Sequence, residues 1–566
     1  MKFTELPYQR VNLDTMKADC AAVVQQLEAA ASYEDAKAAF LAQQKLMSAF
    51  STMSSLANIR HTINTKDEFY DKEKDFYDEA EPIVQDLDQT FTLALLKNQF
   101  RPQLEAEYGG LFFKNAEIAL RTFQPEIIPD LQEENKVVSE YVKLIASAQI
   151  DFQGQTLTLS ELTPHMQSAD RDTRVAAWNA HGGFYDSHKD ELDTIYDKLV
   201  AIRTGIGRKL GHETFVPTGY DRMTRNSYTA EDVDKFRQAV QKYIVPVAAR
   251  LKKEQAERSG ATYPMSYPDN AIQFKSGNPK PQGTPDEIIA HGRKMYRELS
   301  PETAEFFDFM LENELFDVLS RKGKAAGGYC ASLTDFHCPF IFANFNGTAH
   351  DVEVITHEAG HAFAAYQSRN IIPTENQMPT LESCEIHSMS MEFFAWPWCE
   401  GFFGPDTQKF FYQHLEGALS FIPYGTMVDH FQHEMYLNPE LTPAQRHEVW
   451  AKLEKIYQPW IQDNDTTFYS QGKYWQRQLH IYEMPFYYID YCLAQTVALQ
   501  FWAAIQTNRE DAWSRYMALV SKAGTATFDE LVASAGMDSP FGDSALKTVS
   551  DAASKWLDAF DRASLK

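Results

Sequence analysis

Apolar residues recur at three- and four-residue spacing along most of the first 150 positions, the period that lays one face of an α-helix against a core. Ala36, Ala39 and Phe40, followed by Met47 and Phe50, show the pattern, and Ala, Gln, Leu, Glu and Lys fill the positions between. The spacing predicts long helices through residues 13–150. Residues 160–206 continue it, with Asp170-Arg171-Asp172-Thr173-Arg174-Val175 as an entry and an exit between Ile202 and Ile206. Val233, Phe236, Val240, Tyr243 and Val247 mark a helical face over 229–258, which Pro246 should kink or divide.

The pattern breaks over 259–285. Pro264, Pro268, Pro279, Pro281 and Pro285, with Gly260, Gly277 and Gly283, predict an irregular, hinge-like connector. Residues 321–347 are the one convincing β region, opening on the glycine-rich Lys322-Gly323-Lys324-Ala325-Ala326-Gly327-Gly328 and closing on an aromatic strand with an Asn346-Gly347 turn signal. The glycine-rich loop lacks the spacing that cradles phosphate. At 566 residues the chain exceeds the usual single domain. We expect a helical N-terminal lobe over 1–200 and a second lobe over 201–566.

Composition narrows the partners. The 79 acidic and 53 basic residues leave a net charge of −26, which argues against nucleic acid and anionic membrane. No run approaches the roughly 20 apolar residues that span a bilayer, and the first residues lack a signal-peptide core. The six cysteines are scattered with no Cys-x-x-Cys pair. These features predict a soluble cytoplasmic protein.

The chemistry concentrates in His357-Glu358-Ala359-Gly360-His361. On a helix, two histidines four apart share a face and can ligate one Zn²⁺, while the intervening glutamate reaches a water as general base. Thr348 and Asp351 have capping-box spacing, so the helix should start near them. The small and apolar flanks predict a buried helix, and buried His, Glu and His require a partner such as a cation. A catalytic zinc takes a third protein ligand. In Leu381–Trp396, Glu382, Glu385 and Glu392 share one stripe beside Phe393 and Phe394, while His387 points away. One of the three should ligate and a neighbour should brace a ligand histidine; spacing leaves Glu385 and Glu382 as rivals. His430 and His433 lack a third ligand and are read as packing residues.

Three blocks in order carry a resemblance: Pro339-Phe340-Ile341-Phe342-Ala343-Asn344-Phe345, the histidine motif, and Glu385 to Glu392. The chain resembles the thimet oligopeptidase, neurolysin and oligoendopeptidase F metallopeptidases. Gly219 to Tyr228 is similar to the oligoendopeptidase F and Pz-peptidase members in particular. The resemblance implies a mostly α, two-lobed zincin with a small sheet beside the active-site helix and a deep central channel. It implies one Zn²⁺ per chain held by His357, His361 and Glu385, with Glu392 matching the family's second acidic position; Glu392, and Glu382 from the acidic stripe, are expected as supports.

The stretch His480 to Tyr491 offers one histidine and four tyrosines within twelve residues. Such donors can stabilise the oxyanion of peptide hydrolysis, or simply pack. The resemblance implies that His480 and Tyr488 contact the carbonyl, with Tyr491 beside them and Tyr487 as the alternative to Tyr488. The strand Phe340–Phe345 is expected as an edge strand that binds extended peptide, with Ala343 and Phe345 in contact, or else as part of an internal hairpin with no ligand. The implied function is cleavage of internal bonds in short oligopeptides. An exopeptidase of similar fold and a non-catalytic peptide-binding protein are the alternatives.

Overall fold

The computed structural model describes residues 1–542 and 544–565. Six helices fill the first 150 positions: Leu13–Glu28, Tyr33–Ile63, Glu68–Lys97, Arg101–Tyr108, Gly110–Ala119 and Ile128–Ala146. Asn12, Ser32 and Asp67 start the first three with side-chain caps that satisfy otherwise free backbone N–H groups. The periodic residues are the ones buried. Ala36, Ala39 and Phe40 join one apolar cluster with Leu27 and Leu95, and Phe50 joins a second with Met16 and Tyr77.

Asp170 caps the helix Arg171–Ser187, as the sequence predicts. The helical stretch after residue 229 divides as Pro246 requires: Ala230–Ala239 passes through a π turn at Val240–Ile244 into Val245–Ser259. A proline lacks the N–H that would continue an α ladder, and a wider turn accommodates the loss. Residues 260–284 are irregular apart from Tyr267–Asn270. The segment is nevertheless packed: Met265 N donates to the Trp460 carbonyl at 2.8 Å, and Tyr267, Ile272 and Phe274 are buried.

Two sheets form. Strands β1 (Ile150–Phe152) and β2 (Gln155–Leu157) make a hairpin closed by Gln153 and Gly154, both at positive φ. Strands of three residues are too short to register as alternation, which is why the periodicity does not reveal them. The second sheet has the order β3-β5-β4, with β3 at Phe316–Leu319, β4 at Tyr329–Leu333 and β5 at Cys338–Phe345. Strand β5 pairs with β3 in parallel and with β4 antiparallel, so it is the central strand.

That order corrects the expected edge strand. Ala343 and Phe345 lie in a strand paired on both sides, and both are buried, so neither presents free backbone to a peptide. The half-buried β4 is the edge on the cavity side.

Two helices carry the candidate chemistry, His350–Ser368 and Leu381–Phe394. The first does not begin with the expected capping box. Asp351 instead accepts from the N–H groups of Asn346 and Gly347, at 2.8 Å each, and closes the turn after β5. The two helices touch backbone to backbone at Gly360, where an added Cβ would lie 2.7 Å from the His387 carbonyl oxygen and the Ser388 Cα. Among the described residues, no helix is long and apolar enough to cross a membrane.

Gly360→Ala should therefore cost about 1–3 kcal/mol by overpacking. Gly205→Ala, inside the helix Lys189–Lys209 with nothing within 4 Å of its Cβ, should be neutral or stabilising by up to about 1 kcal/mol. Urea midpoints of the two variants check the contrast.

Candidate metal centre and catalytic cleft

The close contact at Gly360 sets the geometry of the centre. His357 and His361 stand four residues apart on one helix, with ring centroids separated by 5.0 Å. Glu385 reaches between them from the facing helix: its Oε2 is 3.2 Å from His357 Nε2 and 3.3 Å from His361 Nε2. Ligands about 2.0–2.1 Å from a tetrahedral Zn²⁺ stand roughly 3.3 Å apart, so the three donors have the spacing and chemistry of a His₂Glu site. Among the described residues this is the one His/Cys/Asp/Glu group of three or more with such an arrangement. His430 and His433 pack instead against the hydroxyls of Tyr457 and Tyr220.

The ligands are braced. His357 Nδ1 donates to Glu392 Oε1 at 2.7 Å, which leaves Nε2 to face the centre. Glu392 Oε2 accepts from His414 Nε2 at 2.8 Å, and the Trp396 indole N–H donates to His414 Nδ1 at 2.9 Å. Burial opposes the charge on Glu392, but His357 and His414 outweigh it and hold the carboxyl at about 2. Glu385 is likewise held well below the usual carboxylate range by His361 and His357 against its burial. Its Oε1 accepts from the Tyr487 hydroxyl, and Ser388 Oγ donates to Oε2 at 2.9 Å.

Glu382 is not part of this bracing, which corrects its expected role. Its carboxylate accepts from Thr380 Oγ1 at 2.6 Å and lies 3.5 Å from Arg225. Three positions ahead of Glu385, with the helix starting at Leu381, it reaches the neighbouring buried arginine instead of the metal side.

Glu358 is buried yet makes no hydrogen bond among the described residues, and it lines two cavities of about 550 and 560 Å³. Burial raises its pKa above the ordinary carboxylate value, with His357 and His361 opposing. Gly328, just ahead of β4, faces it: a Cβ there would sit 3.4 Å from Glu358 Oε1.

The aromatic stretch folds over the same space. His480, Tyr488 and Tyr491 line the first cavity, and His480, Tyr487 and Tyr491 line the second. The two tyrosine alternatives separate here. Tyr487 is engaged with Glu385, whereas Tyr488 makes no hydrogen bond among the described residues. His480 is oriented by a relay: the Tyr424 hydroxyl donates to Gln478 Oε1 at 2.7 Å, and Gln478 Nε2 donates to His480 Nδ1 at 2.9 Å. Its proton therefore sits on Nε2, which is 3.1 Å from the Tyr491 hydroxyl. Burial lowers its pKa to about 4, against Glu385, so the ring is neutral near pH 7.

A second buried group, absent from the sequence reading, fixes this stretch. Arg225 bonds Asp490 and Tyr228, and its Nη2 donates to the Phe486 carbonyl at 2.7 Å. Phe486 takes a φ of +69°, and a Cβ on Gly219 would lie 2.4 Å from its ring. The segment Gly219–Tyr228, singled out by resemblance, is thus the support of the tyrosines. Arg225 and Asp490 are 265 residues apart, and no periodicity could join them.

Comparison with known proteins agrees with this geometry. Residues 3–123 match the peptidase M3 N-terminal domain and residues 297–551 match peptidase family M3. The chain is 48% identical to a solved candidate oligoendopeptidase F, with 99% of each chain covered and a TM-score of 0.98. It is 47% identical to a Pz peptidase A solved with an inhibitor, covering 99% of this chain and 100% of that one at a TM-score of 0.98. A candidate oligoendopeptidase F from Bacillus anthracis is 44% identical over 99% of both chains, with a TM-score of 0.93. No curated protein matches the chain.

Glu392→Gln should keep the fold but weaken metal binding by about 10–100-fold, because His357 loses its charged brace. Competition with a chromophoric chelator measures the change.

Proposed function

The chain belongs to peptidase family M3, and from that premise we propose a zinc-dependent oligoendopeptidase that cuts internal bonds of short oligopeptides. His357, His361 and Glu385 would hold one Zn²⁺, which supplies Lewis acidity at the peptide carbonyl when bound. The observation that carries the reading is Glu358, a buried carboxylate with no hydrogen-bond partner among the described residues, aimed into the cleft beside three metal-type donors.

In the reaction, a water oxygen bonds to the peptide carbonyl carbon while Glu358 takes its proton. The carbon–nitrogen bond then breaks, and Glu358 returns the proton to the leaving amine. The second proton of the water leaves the new carboxylic acid for the amine, so the products are a carboxylate and an ammonium group and protons balance without another donor. As the carbonyl oxygen gains charge, the Tyr488 hydroxyl donates to it, and His480 Nε2–H exchanges its contact with the Tyr491 hydroxyl for one with the oxyanion. Both line the cavity that holds Glu358. Tyr487 instead orients Glu385, and Tyr491 holds the His480 ring. Strand β4, the edge facing the cleft, offers backbone to an extended peptide, which permits many sequences in one site.

Glu358→Gln should lower kcat/KM by about 10²–10⁴ while metal content stays unchanged. In the native enzyme, kcat/KM should fall as pH drops through the Glu358 pKa, which burial holds above the ordinary value, because only the carboxylate accepts the proton. Substantial turnover by the Gln variant would remove Glu358 from the base role. A peptide blocked at both ends should still be cut; failure there, with cleavage of the unblocked peptide, would make the protein an exopeptidase.

A further inference from the structure

Arg477 ends the short turn Tyr474–Arg477, three residues before His480, and lines a cavity of about 430 Å³. This cavity is continuous with the one containing His357, Glu358 and His480, since Gln167, Gly328, His350, Glu353 and Gln413 border both. Among the described residues its wall carries no other lysine or arginine.

The guanidinium has unusual company. Its carbon sits 4.3 Å over the Tyr474 ring, and Tyr185, Tyr424 and Tyr469 stand around it. Burial pushes those three phenols up, so they remain neutral. Arg477 Nε is buried without a hydrogen-bond partner, and the residue makes no ion pair among the described residues. The half-buried Arg477 has only the Tyr424 and Tyr474 side chains as hydrogen-bond partners among them, whereas buried cations of this chain have carboxylates: Arg203 with Glu134 at 2.6 Å, Arg237 with Asp429 at 2.9 Å, Arg174 with Asp269 at 3.0 Å and Lys324 with Asp317 at 2.7 Å. A buried charge without a counter-charge is costly. In a chain with 79 acidic residues, one left facing the substrate cavity points to a counter-charge that arrives with the ligand.

We propose that Arg477 receives a carboxylate of the bound peptide, either its free C-terminus or an acidic side chain. The inference rests on the peptidase reading above and specifies its substrate class. A guanidinium fork matches a carboxylate with two parallel hydrogen bonds, and the surrounding tyrosines exclude water from them. Capture of a free C-terminus would also set the number of residues between the chain end and the bond that is cut. A long polypeptide would then be disfavoured by geometry.

Binding on the Glu358→Gln background tests the proposal without turnover. Calorimetry compares one peptide as the free acid, as the C-terminal amide, and as the amide with glutamate replacing glutamine at each position in turn. The free acid, or one of the glutamate amides, should bind about tenfold or more tightly than the neutral amide. Which of them does so identifies the C-terminus or a side chain as the source. Adding Arg477→Met should abolish the preference. Arg477→Lys, which keeps the charge without the fork, should retain part of it and serves where the Met variant melts early. Equal binding of all the peptides, or a preference that survives in the Met variant, would overturn the proposal. So would an equal loss for acid and amide. The peptidase reading fails separately, through absence of turnover by the native enzyme.

Discussion

The catalytic arrangement depends on how closely two buried helices can lie. At Gly360 the helix His350–Ser368 meets the backbone of Leu381–Phe394, with no room for a Cβ. That approach brings Glu385 Oε2 to 3.2 and 3.3 Å from two imidazole nitrogens on the other helix. The same approach lets Glu392, two turns further along, reach the far side of His357. Glu385 and Glu392 thus come from one helix and act on one partner, so a single interhelical distance governs both contacts. A wider contact would leave buried polar groups apart and unsatisfied, which a core does not tolerate.

A second constraint holds the aromatic groups over that centre. Arg225 ties together the Phe486 carbonyl, Asp490 on the tyrosine helix and Glu382 on the ligand helix. Phe486 at φ +69° is an unfavourable conformation for a bulky residue, and it persists because its surroundings over-determine it. Tyr487 and Tyr488 follow directly and turn to different tasks, one to Glu385 and one to the open cavity. The support is therefore ionic and buried, whereas the groups it positions are neutral donors.

Among the described residues the buried arginines are paired with carboxylates, whereas two charged groups on the cleft wall are not. Neither Glu358 nor Arg477 makes an ion pair among the described residues, and both line the same connected space. One is the carboxylate proposed as the base, the other the guanidinium proposed to receive a substrate carboxylate. Unpaired charge in a cleft is stability set aside for chemistry or recognition.

Much of this was legible from residue order alone. Helical periodicity, the division at Pro246, the histidine motif and the acidic stripe are local patterns, governed by the geometry of one helix at a time. The strand Phe340–Phe345 shows where local reading fails. Its apolar run from Phe340 to Ala343 is the mark of a strand covered on both faces, yet nothing local reveals which neighbours pair with it. Sequence by itself determined the elements and the ligand types, because backbone periodicity and donor chemistry belong to single residues and their near neighbours. Only the tertiary structure set Glu385 between the two histidines, Glu392 behind His357 and Glu382 beside Arg225, gave Tyr487 a contact with Glu385, made β4 the edge and left Arg477 without a carboxylate. Each of those outcomes depends on contacts between segments far apart in the chain, and such contacts leave no period in the sequence.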